Sequence, residues 1–165
     1  MNSFVAQIRK VYGFAVRTAS SLQSVFLLFV RVYWGWQLAQ NGWGKLHNLG
    51  RVTEFFLSLG LPMPGVTATF VASVEFIGGI MLAIGLLSRF FGLVITIDMV
   101  MAYVMGDREA LLSFISDPGK FYVADPYTFL FAGLMILIFG PGKIALDTLL
   151  LRRYPYPAET SNPSS

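Results

Sequence analysis

The apolar stretch Val66–Leu87, VTATFVASVEFIGGIMLAIGLL, decides the fold. A helix of about 20 apolar residues is long enough to cross a lipid bilayer. This stretch carries one carboxylate, Glu75, near its middle. A charge at the bilayer centre costs at least about 2.5–3.5 kcal/mol, so a lone acid there needs a partner. Two other apolar segments contain the charged residues Arg31 and Asp98. The sequence therefore predicts a membrane bundle closed around a buried polar cluster.

The composition supports a membrane protein. The 165 residues are 55% hydrophobic and 13% charged, whereas soluble domains are about 25% charged. Cysteine is absent and histidine occurs once, which excludes disulfides, thiol catalysis and cysteine-ligated clusters, and we expect no metal centre. The net charge of +3 comes mostly from segments that flank the apolar runs, with no basic stripe among stacking aromatics. We therefore expect no nucleic-acid partner.

The order of apolar segments and breakers predicts an all-α, integral membrane four-helix bundle over residues 22–147. Ser88 and Arg89 form a very short turn, so the second and third spans should be antiparallel neighbours. The fourth span contains no charge and should end at Gly140-Pro141-Gly142. The predicted spans are about 22–46, 66–87, 90–105 and 126–139.

The N-terminal segment, residues 1–21, has apolar residues at helical spacing, and Arg9, Lys10 and Arg17 lie mostly off that face. We expect an interfacial amphipathic helix on an anionic leaflet. A partly ordered leader with chance periodicity is the alternative. Between the first two spans, Arg51–Leu59 predicts a short amphipathic surface helix. Residues 148–165 are predicted to form a C-terminal tail, and its part from Arg152 to Ser165, with three prolines and several serines, is predicted to be disordered.

The distribution of basic residues predicts the orientation. Lys and Arg are enriched on the cytoplasmic side of membrane proteins. Placing both termini and the short turn between the second and third spans on one side gives seven basic residues there and four on the other. Both termini and the C-terminal tail should therefore be cytoplasmic. The seven are Arg9, Lys10, Arg17, Arg89, Lys143, Arg152 and Arg153; the four are Lys45, Arg51, Arg108 and Lys120.

The three intramembrane charges, Arg31, Glu75 and Asp98, should lie at one depth. Each follows the residue taken as the entry to its span by nine positions. At about 1.5 Å per residue, this is roughly 14 Å, close to the midplane of a hydrocarbon core of about 30 Å. One cation and two carboxylates leave the cluster unbalanced, so a proton or a ligand donor should complete it. Alternatively, the cluster only fixes helix register.

Helical spacing places small residues beside these charges, which favours close helix packing. His47, without a second ligand, is interpreted as a surface residue. The stripe on the second span contains Ala68, Ala72, Glu75, Gly79, Leu82 and Leu86, and that on the first contains Arg31, Gly35, Leu38, Gly42 and Lys45.

The succession of motifs resembles the DoxX/DoxD family of small bacterial and archaeal membrane proteins. The resemblance covers roughly residues 22–147 and implies a four-helix bundle of the inner membrane. Some relatives are similar to the small subunits of thiosulfate:quinone oxidoreductase, and others are associated with membrane redox or oxidative-stress assemblies. Asn41 stands where the family often has a histidine before the glycine. The motifs are Arg31, Asn41-Gly42, Lys45, Leu59-Gly60-Leu61-Pro62, Glu75, Gly78-Gly79, Gly85-Leu86-Leu87-Ser88-Arg89, Asp98-Met99 and Gly140-Pro141-Gly142-Lys143-Ile144-Ala145-Leu146-Asp147.

The leading hypothesis is an accessory subunit of a membrane redox assembly, without catalytic residues of its own. In this hypothesis, a quinone binds to or lies beside a cluster formed by Arg31, Glu75 and Asp98. The protein itself carries no covalent cofactor. Its partners are the lipid bilayer and other membrane subunits. The second hypothesis is a structural or assembly subunit without a ligand. The third, a small proton-coupled carrier, is weakened because the sequence shows no internal repeat or broken helix.

Overall fold

The computed structural model describes residues 3–153, apart from a few side chains near the two ends, and this part of the chain contains helices and no strands. The all-α prediction is therefore confirmed. The helices, in chain order, are α1 Ser3–His47, α2 Leu49–Ser58, α3 Pro64–Ile84, α4 Ser88–Met105, α5 Arg108–Leu112, α6 Pro118–Val123, α7 Pro126–Phe139 and α8 Leu146–Arg153.

Within residues 3–153, three helices are long and apolar enough to cross a membrane: α3, α4 and a part of α1, Gln7–His47. The fourth apolar helix, α7, has 14 residues. Helix α1 packs along α3, and α4 packs along α7. Smaller contacts between α3 and α4 and between α1 and α7 join these two pairs. The shared core contains Leu27, Val30, Leu38, Leu82, Ile95, Met99, Ala132 and Ile136.

Glycines allow the backbones to approach closely within each pair. A methyl group added at Gly79 of α3 would lie 2.5 Å from the backbone nitrogen of Ala39 on α1. Between α4 and α7, a methyl group at Gly92 would lie 3.1 Å from the carbonyl oxygen of Gly133. Helices in lipid gain no hydrophobic free energy from association, so the close van der Waals packing that small residues allow stabilises the helix pairs instead. These seams fix the register of α1 on α3 and of α4 on α7.

The N-terminal segment is not a separate helix. Helix α1 continues without a break from Ser3 through the first span, so the predicted boundary between residues 21 and 22 is absent. No proline interrupts this stretch. The hydroxyls of Thr18 and Ser21 donate to carbonyls one turn earlier, within the helix, instead of capping a new helix start. From residue 5 to residue 23, every described residue except Gly13 is exposed, so this part of α1 extends beyond the bundle.

Two shorter helices flank the long ones. Helix α2 lies where a short amphipathic helix was predicted and packs against the start of α3, where a methyl group added to Gly65 would lie 3.9 Å from Thr53 Cγ2. Helix α8, Leu146–Arg153, continues into the predicted C-terminal tail, so Arg152 and Arg153, which were predicted to be disordered, are helical. Residues 154–165 lie outside the described part of the chain.

Candidate functional site

An ion pair links α1 to α3. Lys45 Nζ lies 2.5 Å from Glu75 Oε1. The glycine seam explains the contact, because Gly42 of α1 faces Ala72 and Phe76 of α3 and so lies level with Glu75. The long side chain of Lys45, one turn further along α1, reaches Glu75 from there. The Glu75 side chain is 5% exposed, whereas that of Lys45 is 37% exposed. The second Glu75 oxygen, Oε2, is buried and has no hydrogen-bond partner.

Asp98 of α4 completes this polar site, which we call the Lys45–Glu75–Asp98 site. Helices α3 and α4 are antiparallel, and Gly78 of α3 contacts Ile95 of α4. One turn from that contact, Glu75 and Asp98 lie at the same level, and Asp98 is within electrostatic range of both Glu75 and Lys45. Its Oδ2 atom is buried without a hydrogen-bond partner. The structure therefore brings two of the three predicted site residues together.

Arg31 is not part of this site, which corrects the predicted three-residue cluster. Its guanidinium lies against Gly85 and donates a hydrogen bond to the carbonyl oxygen of Ile144. Gly85 follows Glu75 by ten residues, which is about 15 Å along α3. The depth count failed because the first span was assumed to enter the membrane at Leu22, whereas the glycine contacts of α1 on α3 set the register and place Arg31 beside Gly85. The same α1 stripe placed Lys45 in line with Arg31, and Lys45 is the residue that faces Glu75.

A second polar centre lies at the end of the bundle that contains Arg31. Asp147 accepts hydrogen bonds from the backbone nitrogens of Leu87 and Ser88, at 2.7 and 2.8 Å, and its own nitrogen donates to the carbonyl of Gly85 at 2.9 Å. These bonds hold the turn between α3 and α4, where Gly85 and Leu87 have positive φ angles of 74° and 48°. Arg31 is within electrostatic range of Asp147. Asp147 belongs to one of the sequence motifs, but its position in the sequence predicted no role for it.

Comparison with protein families identifies the chain. The model of the DoxX family matches residues 26–108, just over half of the chain. The chain belongs to the DoxX family. The matched range includes Arg31 and all three residues of the Lys45–Glu75–Asp98 site, and it ends before Asp147. With its apolar helices, this DoxX protein is a multi-pass membrane protein in contact with the lipid bilayer. Neither curated proteins nor solved structures gave a match to the chain.

The side-chain groups of the Lys45–Glu75–Asp98 site can exchange protons and form hydrogen bonds with polar organic molecules. Carboxylate oxygens without partners accept hydrogen bonds, a protonated carboxyl group donates one, and an ammonium group donates up to three. Over residues 3–153, no three His, Cys, Asp or Glu side chains are arranged to hold a metal ion. His47 Nδ1 lies 2.9 Å from the carbonyl oxygen of Trp43, within its own helix. The arrangement therefore favours hydrogen bonding and proton exchange as the chemistry of this site.

Proposed function

We propose that this DoxX protein is an accessory subunit of a quinone-linked redox assembly and that the Lys45–Glu75–Asp98 site binds the quinone head group. One observation carries the proposal: Glu75 Oε2 and Asp98 Oδ2 are buried without partners beside an ammonium group. Buried polar atoms are nearly always satisfied, so unsatisfied oxygens on two adjacent helices favour a missing hydrogen-bonding group. The family resemblance supplies the redox context.

The chemistry of the site fits a quinone. A quinone bound here would supply two-electron, two-proton redox chemistry, with the electrons coming from a redox partner subunit and the protons from the protonated acid and the surrounding water. Lys45 donates a hydrogen bond to a carbonyl oxygen of the head group. Glu75 and Asp98 cannot both remain ionised close together at low cost, so one of them holds a proton that it can donate. The partial exposure of Lys45 connects this proton to the surrounding water.

In this proposal, α7 is the fourth span. Its 14 residues give about 21 Å of helix, less than the roughly 30 Å of a bilayer core. It carries no charge and packs along α4, which is long enough to span. Residues that flank α7, including the buried Phe121 of α6, extend the apolar length. The result is a four-helix bundle in the cytoplasmic membrane of a bacterium or archaeon.

The proposed orientation places both termini in the cytoplasm. The chain lacks cysteine, so single introduced cysteines report their side without background. We expect Ser116→Cys to react with an impermeant thiol reagent in intact cells, and Lys10→Cys to react only after the membrane is opened. The reverse pattern would overturn the orientation.

The second candidate function, a structural subunit without a ligand, is favoured by the environment of Arg31. This side chain is 1% exposed, donates a hydrogen bond from Nη2 to Ile144 and lies near Asp147, so it joins α1 to the segment after α7. Its Nε and Nη1 atoms are buried without hydrogen-bond partners. The environment of Arg31 thus favours a structural role. Glu75 Oε2 and Asp98 Oδ2 also lack partners, but they lie on adjacent helices beside an ammonium group.

Mass spectrometry of the gently extracted protein tests the proposal. We expect stoichiometric quinone and a co-purifying redox subunit with the natural chain, and loss of the quinone alone in Glu75→Gln. The matched control is Glu109→Gln, because Glu109 also pairs with a lysine but is 86% exposed. A reproducible protein partner with no quinone, together with unchanged quinone reduction in Glu75→Gln, would overturn the proposal in favour of the structural subunit.

A further inference from the structure

We propose that a surface at one end of the bundle binds the phosphate group of an acidic phospholipid. This surface, which we call the Arg89–Lys143 surface, is formed by the start of α4 and the turn that follows α7. It is separate from the Lys45–Glu75–Asp98 site, because Arg89 follows Glu75 by 14 residues in the chain, across the end of α3. Its members are Arg89, Gly140, Lys143 and the exposed apolar residues beside them.

The position of Arg89 is fixed by the backbone of Gly140. A methyl group added to Gly140 would lie 3.4 Å from both Nε and Nη2 of Arg89. The φ angle of Gly140 is 78°, a conformation that residues with a side chain rarely adopt. The glycine therefore allows the guanidinium to lie against the turn. Lys143 follows three residues later in the same turn, so the two cations lie on neighbouring parts of one surface.

Neither cation is neutralised within the part of the chain that the structure describes. The ion pairs found there are Lys45–Glu75 and Lys120–Glu109. Asp147, the acid at this end of the bundle, accepts hydrogen bonds from the backbone nitrogens of Leu87 and Ser88. Both Arg89 and Lys143 are exposed. The surface thus presents two free positive charges to an anionic group.

Exposed apolar side chains surround these cations. Leu87 and Phe90 are 58% exposed, and Phe139 and Ile144 are 53% exposed. They adjoin Arg89 and Lys143 in sequence on both segments. A free phosphate ion would gain nothing from such neighbours, whereas a phospholipid places its phosphate on the cations and its acyl chains on the apolar side chains. Clusters of basic residues at the end of membrane helices recognise acidic lipids in this way.

The test measures lipid binding to the whole protein in detergent by native mass spectrometry, with phosphatidylglycerol and phosphatidylcholine as probes. A basic residue near an anionic lipid surface contributes about 1 kcal/mol, which corresponds to roughly fivefold in affinity. Two such residues predict that phosphatidylglycerol binds roughly 25-fold more tightly than phosphatidylcholine. The preference should fall to roughly fivefold in Lys143→Gln alone and to about twofold or less in Arg89→Gln/Lys143→Gln.

The matched control is Arg51→Gln/Lys120→Gln, which removes two exposed cations elsewhere and should leave the preference unchanged. An equal preference in the natural chain and in Arg89→Gln/Lys143→Gln would overturn the proposal. Equal binding of both lipids to the natural chain would also overturn it. Displacement of phosphatidylglycerol by millimolar inorganic phosphate would show a free-phosphate site instead of a lipid site.

Discussion

Lys45 of α1 and Glu75 of α3 form an ion pair, with 2.5 Å between Nζ and Oε1, although they come from segments that the sequence separates by a surface helix. The pair connects the most closely packed helices of the bundle at the proposed quinone site. Its two members differ in exposure, since Glu75 is enclosed and Lys45 reaches the surface. This asymmetry decides what each substitution should do.

Removal of Lys45 should destabilise the protein more than removal of both partners. Lys45→Met leaves the buried Glu75 carboxylate without its cation, and we expect a loss of about 1–3 kcal/mol in the free energy of unfolding. Lys45→Met/Glu75→Gln should recover part of that loss. Denaturant unfolding in detergent micelles measures both. Lys120→Met, whose partner Glu109 is exposed, is the control and should change stability by less than about 0.5 kcal/mol. Equal effects of Lys45→Met and Lys120→Met would contradict the ion pair.

The seam between α1 and α3 predicts opposite effects at two glycines of one helix. Gly42→Ala would place a methyl group against the backbone of Phe76, and we expect a loss of about 1–3 kcal/mol from overpacking. Gly44 has no atom within 4 Å of an added methyl group. Gly44→Ala should therefore stabilise α1 by up to about 1 kcal/mol through helix propensity. Thermal unfolding of the two variants compares them directly, and a neutral Gly42→Ala would refute the seam.

The turn between α3 and α4 should depend on Asp147. Asp147→Ala removes the acceptor for two backbone nitrogens, and we expect a loss of about 1–3 kcal/mol in stability. Faster amide hydrogen exchange at Leu87 and Ser88 should accompany it. Asp117→Ala serves as the control, because Asp117 precedes α6 without a side-chain capping bond. Unchanged exchange at Leu87 and Ser88 in Asp147→Ala would disprove the role of this carboxylate.

Tyr103 should tie α4 to α6 through its hydroxyl group. The side chain is 1% exposed, stacks on Phe121 and donates a hydrogen bond of 2.7 Å to the carbonyl oxygen of Phe121. Tyr103→Phe keeps the stacking and removes the bond, so we expect a loss of about 0.5–1.5 kcal/mol. Tyr33→Phe, on an exposed residue of α1, should have no measurable effect. Stability scans that do not distinguish the two variants would argue against the bond.

The sequence predicted much of the architecture. Apolar length and the breakers Pro64 and Gly140 located α3, α4 and α7 to within a few residues, because these signals are local. The DoxX assignment, made from ordered motifs, is confirmed by the family match. The position of α2 also followed from local amphipathic spacing. The continuity of α1 was not predicted. The start of the apolar run at Leu22 indicated the beginning of a new helix, although no helix breaker precedes it.

The candidate site was only partly predictable. Glu75 and Asp98 were expected to meet, and the packing of Gly78 against Ile95 places them at one level on the antiparallel helices α3 and α4. Arg31 was placed with them because depth was counted from assumed membrane entries, whereas the glycine contacts of α1 on α3 set the actual register. Lys45 was counted as a flanking cation, although it shared a helical stripe with Arg31. Long-range pairing such as that of Arg31 with Ile144 has no local sequence signal.

Equilibrium binding of a short-chain benzoquinone analogue to the purified protein tests the central claim most directly. We predict saturable binding to the natural chain and at least tenfold weaker binding to both Glu75→Gln and Asp98→Asn. Binding to Glu109→Gln should be unchanged, which separates the site from a general effect of lost charge. Absence of saturable binding, or equal affinity in all four proteins, would contradict the assignment of the Lys45–Glu75–Asp98 site.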